Sequence, residues 1–86
     1  MLDGVITFPS SFYALRGEKV VKKANFTCKL IPCPRELSSS CAVSLAFEPA
    51  QVEPIAAVIA QNRVQWEAIY IYRRTGSAKE VVEWRG

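Results

Sequence analysis

The chain has 86 residues, half of them hydrophobic and 22% charged, with a formal net charge of +3. This composition is typical of a folded globular protein and excludes the disordered class, and so small a charge does not by itself indicate a nucleic-acid partner. The sequence has no histidine, which excludes Ser-His-Asp and Cys-His catalysis and the usual zinc sites. The length predicts one domain over residues 1–74, and residues 75–86 are interpreted as a C-terminal tail of undecided structure.

The N-terminal third predicts a strand followed by a helix. A β-branched and aromatic run at residues 4–9 ends in a proline and is typical of a strand. Residues 11–24 then place their apolar and small side chains within about 120° of a helical wheel. The basic residues on the rest of the wheel are interpreted as a solvated face. Asn25 is predicted to end this helix, because Asn tolerates the left-handed conformation.

The remaining chain predicts two strands, a helix and a further strand. The strands are expected at residues 27–32 and 41–47, and a helical stripe formed by Val52, Ile55 and Ile59 follows. Pro54 requires this helix either to begin near Glu53 after a single turn or to kink. The last strand is predicted at residues 64–74. Residues 75–86 open with a turn signal, and a short helix, an extra strand and a loose tail all remain open.

This order predicts an α+β, ferredoxin-like split βαβ fold (βαββαβ). It implies a four-stranded antiparallel sheet with both helices on one face and the other face open. Alternation along the last strand places Trp66, Tyr70 and Tyr72 on one side. On the open face they would form an aromatic interface for a partner, whereas on the other they would pack under the helices or the tail. Both interpretations stay open.

The chemistry-bearing residues concentrate in one loop between the second and third strands. Two thiols, a guanidinium and three hydroxyls fall within ten residues: Cys33, Arg35, Ser38, Ser39, Ser40 and Cys41. Cys41 is the candidate reactive thiol. Arg35 would stabilise its thiolate, Cys33 would act as a resolving thiol, and the three serines would shape the loop. In the alternative interpretation Cys41 is a buried residue that starts a strand, and Cys28 is expected to be structural.

Three stretches of sequence resemble a known family. They are VITFPSS from Val5, ALRGEK from Ala14 and, most specifically, PRELSSSC from Pro34 to Cys41. They are similar to small bacterial domains described as selenium/sulfur carrier-like, over roughly residues 4–73. The resemblance implies the βαββαβ layout and a functional cysteine after the serines, here Cys41. Many relatives have a glycine after that cysteine, where this chain has Ala42.

The leading functional hypothesis is therefore a carrier of sulfur or selenium. Cys41 would hold a persulfide or selenopersulfide for transfer to or from a partner enzyme, and the protein itself would not be an enzyme. No metal and no cofactor are expected, since no carboxylates are paired and no phosphate loop is present. The alternative is a small oligomerising regulatory or interaction module with structural cysteines.

Two further expectations concern partners and location. RNA binding is disfavoured, because the third strand reads CAVSLAF and lacks the basic and aromatic run of an RNA-recognition motif. No apolar run is long enough for a membrane helix, and the N-terminus has no signal-peptide pattern. A cytoplasmic protein without a membrane partner is expected.

Overall fold

The computed structural model describes residues 2–34, 37, 42–75 and 78–84. In chain order the elements are β1 (Gly4–Thr7), α1 (Ser11–Lys23), β2 (Cys28–Pro32), β3 (Val43–Phe47), a 3-10 turn (Pro49–Gln51), α2 (Val52–Gln61), β4 (Ala68–Thr75) and β5 (Ala78–Trp84). Within these described ranges, neither helix has the length and apolar character needed to cross a membrane.

The strands form one antiparallel sheet in the order β2-β3-β1-β4-β5. The predicted α+β fold with two helices and an antiparallel sheet is confirmed. The prediction of four strands is wrong, because β5 pairs with β4 from Thr75 opposite Ala78 to Ile69 opposite Trp84. This fifth strand extends the sheet beyond β4, so the arrangement is not the simple ferredoxin-like one. Of the three possibilities for the C-terminal segment, the structure shows the extra strand.

The core lies between the helices and one face of the sheet. Ile6 of β1 stands opposite Leu45 of β3 and Ile69 of β4, so these three side chains share a face. They belong to one buried cluster with residues from both helices: Ala14 and Val21 of α1, and Val52, Ile55 and Ile59 of α2. Both helices therefore pack on the same side of the sheet.

Two glycines make room for the large rings of this core. Phe47 is fully buried and stands opposite Gly4 in the β1–β3 ladder. A Cβ on Gly4 would overlap the Phe47 ring, and a Cβ on Gly17 of α1 would press against the ring of Phe8. The close approach of backbone to ring therefore requires glycine at both positions.

The sheet face that points away from the helices is also buried in its centre. Val5 and Thr7 of β1 and Ser44 and Ala46 of β3 are each no more than 5% exposed. The Thr7 hydroxyl donates a hydrogen bond to the carbonyl of Ala68 at 3.3 Å. The sequence predicted an open face here, and the structure shows that these four residues of its middle strands are buried.

Both helices end in the same hydrogen-bonded motif with one residue in the left-handed conformation. At the end of α1, Asn25 has a φ of 69°, as its sequence predicts, and the amide of Phe26 donates to the carbonyl of Val21. At the end of α2, Arg63 has a φ of 56°, and the amide of Val64 donates to the carbonyl of Ile59. These 6→1 bonds identify two Schellman motifs, the second of which places an arginine where glycine is preferred.

Replacing Arg63 with glycine is expected to stabilise the protein. The left-handed conformation is strained for a side chain that carries a Cβ, and removal of that strain should raise the free energy of unfolding by about 0.5–1 kcal/mol. Urea denaturation of the two proteins measures the difference. Asn25→Gly is the matched control and should gain less, since Asn tolerates this conformation better than Arg does. Equal gains at the two positions would contradict the account.

The start of α2 resolves the difficulty that Pro54 posed. The 3-10 turn ends at Gln51, and α2 begins at Val52, which places Pro54 at the third helical position. The first four amides of a helix have no partner within the helix, so proline loses no hydrogen bond there. The predicted start near Glu53 after a single turn is confirmed.

Candidate functional site

The chain between β2 and β3 is closed at its base by a backbone hydrogen bond. The β2–β3 ladder ends with Pro32 opposite Val43. One residue further on, the Cys33 amide donates to the carbonyl of Ala42 at 3.1 Å. We call residues 33–41 the thiol loop. Its first residue, Cys33, and the residue that follows it, Ala42, are therefore held side by side where β2 and β3 end.

Cys33 is the predicted resolving thiol, and the structure describes it at this base. Its side chain is half-buried, and its Sγ lies 3.7 Å from the carbonyl oxygen of Pro34, to which the S–H donates. A further backbone bond from the amide of Leu37 to the carbonyl of Pro34, at 3.0 Å, starts the loop with a turn.

The other predicted loop residues lie outside the described residues. They are Arg35, Ser38, Ser39, Ser40 and Cys41. The roles assigned to them, including that of the reactive thiol, stay predictions. Among the residues that the structure does describe, no three Cys, Asp or Glu side chains come together as a metal site.

Cys28 is a buried free thiol at the start of β2 and matches the structural role expected of it. It is 8% exposed, and its Sγ lies 3.9 Å from the carbonyl oxygen of Glu18. Burial raises the pKa of the Cys28 thiol above its ordinary value, although the charge of Lys22 partly opposes this. Because the thiolate is the reactive form, Cys28 is a poor nucleophile near neutral pH.

The structure describes all three aromatic residues predicted to share a face. Trp66 precedes β4, which begins at Ala68 rather than at residue 64, and it lines a groove beside α2. Tyr70 and Tyr72 are half-buried in β4, on the face away from the helices, since Tyr70 stands opposite Val5. Tyr70 and Tyr72 thus share a face, and an interface formed by the three residues stays a prediction.

Trp66 lines a groove of about 620 Å³ between α2 and the adjoining ends of β4 and β5. We call this the α2 groove. On the helix it is lined by Glu53, Ala56, Ala57 and Ala60, and the rest of its lining is Trp66, Glu67, Ala68, Glu83 and Trp84. The sequence interpretation missed this surface, because Trp84 reaches it only through the pairing of β5 with β4.

The outward side of α1 carries the most exposed large apolar side chains among the described residues. Phe12 is 64% exposed and Leu15 is 55% exposed. On a helical wheel Phe12 and Leu15 share one arc of about 120° with four basic residues, Arg16, Lys19, Lys22 and Lys23. We call these six residues the α1 basic face. The sequence held a signal for it, since Phe12 and Leu15 lie outside the apolar arc that predicted the buried side of the helix.

Comparison with known protein families bears on the thiol loop. A family model described as "Putative Se/S carrier protein-like" matches residues 3–71. The chain belongs to this family. The matched stretch runs from the residue before β1 into β4 and includes both cysteines of the loop, which confirms the resemblance found in the sequence. No curated protein and no solved structure gives a significant match. The Se/S carrier-like family name indicates carriage of selenium or sulfur, and a carrier in general requires a protein partner.

Proposed function

We propose that this protein carries sulfur or selenium on Cys41, as a persulfide or selenopersulfide, and passes the atom to a partner enzyme. The observation that supports this most is the match to the Se/S carrier-like family across the whole thiol loop. Such a protein is a carrier and not a turnover enzyme. The proposal assigns it to the cytoplasm, where cellular reductants keep thiols available.

The geometry at the base of the loop supports a functional pair of cysteines. The Cys33 amide binds the carbonyl of Ala42 directly. Cys41 is the residue before Ala42 in the chain. We assign Cys33 the role of the resolving thiol that releases the carried atom.

The loading step is a thiol-exchange reaction in which atoms and charge balance. The Cys41 thiolate attacks the outer sulfur of a persulfide on the donor enzyme. The bond between the two donor sulfurs breaks, the donor cysteine leaves as a thiolate, and Cys41 holds the transferred sulfur as a persulfide. Selenium carried by a donor as a selenopersulfide would move in the same way.

The remaining loop residues would favour the anionic forms of this chemistry. Arg35 is assigned the role of stabilising the thiolate and the persulfide anion of Cys41, because a nearby guanidinium lowers the free energy of an anion. The hydroxyls of Ser38, Ser39 and Ser40 are assigned to shaping the loop and to donating hydrogen bonds. None of these roles involves a metal or a cofactor.

Loading with a cysteine desulfurase and cysteine tests the proposal. Intact mass spectrometry should show the addition of sulfur to the wild-type protein and none to Cys41→Ser, because serine cannot form a persulfide. Cys28→Ala is the matched control and should load as the wild type does, since the buried Cys28 thiol is a poor nucleophile. Full loading of Cys41→Ser would exclude the carrier site proposed here.

A further inference from the structure

We propose that the protein forms a twofold dimer in which the α1 basic face of each copy docks into the α2 groove of the other. This association is separate from the carrier chemistry and does not depend on it. The proposal rests on two surfaces of the same chain. Each combines apolar side chains with charged ones, and the charges are basic on the α1 basic face and acidic in the α2 groove.

The charges of the two surfaces are complementary. The α1 basic face carries Arg16, Lys19, Lys22 and Lys23, while the lining of the α2 groove includes Glu53, which is exposed. Lys22 also pairs with Glu18 at 3.3 Å, in a contact half open to solvent. Opposite charge on two patches steers association and disfavours pairing of either patch with its own kind.

The shapes of the two surfaces are complementary as well. Phe12 and Leu15 project large apolar side chains, at 64% and 55% exposure, into solvent. The lining of the α2 groove includes three alanines, at positions 56, 57 and 60, and two tryptophans, Trp66 and Trp84. Small lining residues leave room for protruding side chains, and buried aromatic contacts contribute most of the affinity in protein interfaces.

A twofold axis would join the two surfaces reciprocally. Both helices pack on the same face of the sheet, so the α1 basic face and the α2 groove belong to one layer of the molecule. In a twofold dimer a contact from α1 to the groove is made twice, once in each direction. The interface then closes on itself.

Sedimentation velocity over a micromolar to millimolar concentration series tests the dimer. The wild-type protein should move from monomer to dimer with concentration, and a rise in salt should weaken the dimer because it screens the charges. Leu15→Ser and the pair Lys19→Glu with Lys23→Glu should each raise the dissociation constant at least about tenfold. Lys29→Glu, an exposed charge change on β2, is the matched control and should leave it unchanged.

Reversing the charges on both surfaces tests whether the α1 basic face contacts the α2 groove. Glu53→Lys alone should weaken the dimer, and its combination with Lys19→Glu and Lys23→Glu in one chain should restore much of the association. A monomer at every concentration would overturn the proposal. So would a dimer that the α1 variants leave unchanged, or one that the charge exchange fails to restore. All of these positions are at the surface, so far-ultraviolet circular dichroism should show an unchanged fold.

Discussion

Replacing Phe47 with alanine is expected to lower the free energy of unfolding by about 3–5 kcal/mol. Phe47 is fully buried in the core cluster, and its ring lies directly over the backbone of Gly4. Its removal loses the hydrophobic contribution of the ring and leaves a cavity that the surrounding strands and helices can only partly fill. Proteins of this size unfold at a cost of about 5–15 kcal/mol, so the variant should be close to the limit of stable folding.

The matched control for this change is Phe12→Ala, which deletes the same atoms from a side chain that is 64% exposed. Its free energy of unfolding should change by less than about 1 kcal/mol. Phe47→Leu provides a measurable intermediate if the alanine variant does not fold. Guanidinium denaturation followed by tryptophan fluorescence gives the three values, and similar losses for Phe12→Ala and Phe47→Ala would contradict the core assignment.

Replacing Cys33 with serine is expected to lengthen the lifetime of a persulfide on Cys41 at least about tenfold, since an intramolecular thiol reacts far faster than one in solution. In the wild-type protein the Cys33 thiolate attacks the inner sulfur of the Cys41 persulfide. A Cys33–Cys41 disulfide forms, the bond between the two persulfide sulfurs breaks, and the outer sulfur leaves as hydrosulfide. The prediction rests on the pairing of Cys33 with Ala42, the residue after Cys41, through a backbone hydrogen bond of 3.1 Å.

The lifetime is measured by loading each protein, removing the donor and following sulfide release together with intact mass. The wild-type protein should lose the added sulfur and gain a disulfide, whereas Cys33→Ser should retain the sulfur. Cys28→Ala is the control, and its persulfide should decay as fast as that of the wild type. Cys28 is buried and lies at the other end of β2 from Cys33. Equal lifetimes for Cys33→Ser and the wild type would remove Cys33 from the mechanism.

The parts of the fold that depend on local chemistry follow from the sequence. The end of α1 is an example, since Asn25 takes the left-handed conformation that its residue type favours. The start of β4 is a counter-example. Val64 looks like the first residue of a strand, but it is buried because it completes the Schellman motif of α2, and β4 begins only at Ala68. In the sequence, an apolar residue that closes a helix-ending motif cannot be distinguished from an apolar residue that begins a strand.

The features that depend on distant parts of the chain could not be predicted. The run EVVEW at the C-terminus fits a helix or an edge strand equally well, and only its pairing with β4 decides in favour of β5. Ser44, Ala46 and Thr7 look like solvent-facing positions of an open sheet because they are small or polar. Their burial is a result of tertiary packing, which sequence alternation does not reveal.

The reactive residue types of the candidate site could be predicted from the sequence, whereas the surfaces elsewhere on the molecule were harder to predict. Composition and the clustered thiols pointed to the loop after β2, and the structure adds that Cys33 and Ala42 close its base. The burial of Cys28 agrees with its strand position. The solvated basic side of α1 was predicted, but the exposure of Phe12 and Leu15 beside it was not, and neither was the α2 groove, because both depend on tertiary packing.

Peptide mapping of the wild-type protein after incubation with a cysteine desulfurase and cysteine is the most direct test of the central claim. Trapping with an alkylating reagent, proteolysis and mass spectrometry assign the added sulfur to one of the three cysteines in a single sample. The account predicts that the added sulfur lies on the peptide that contains Cys41, with Cys28 unmodified. Sulfur on Cys28 or Cys33 instead, or on none of the three, would contradict it.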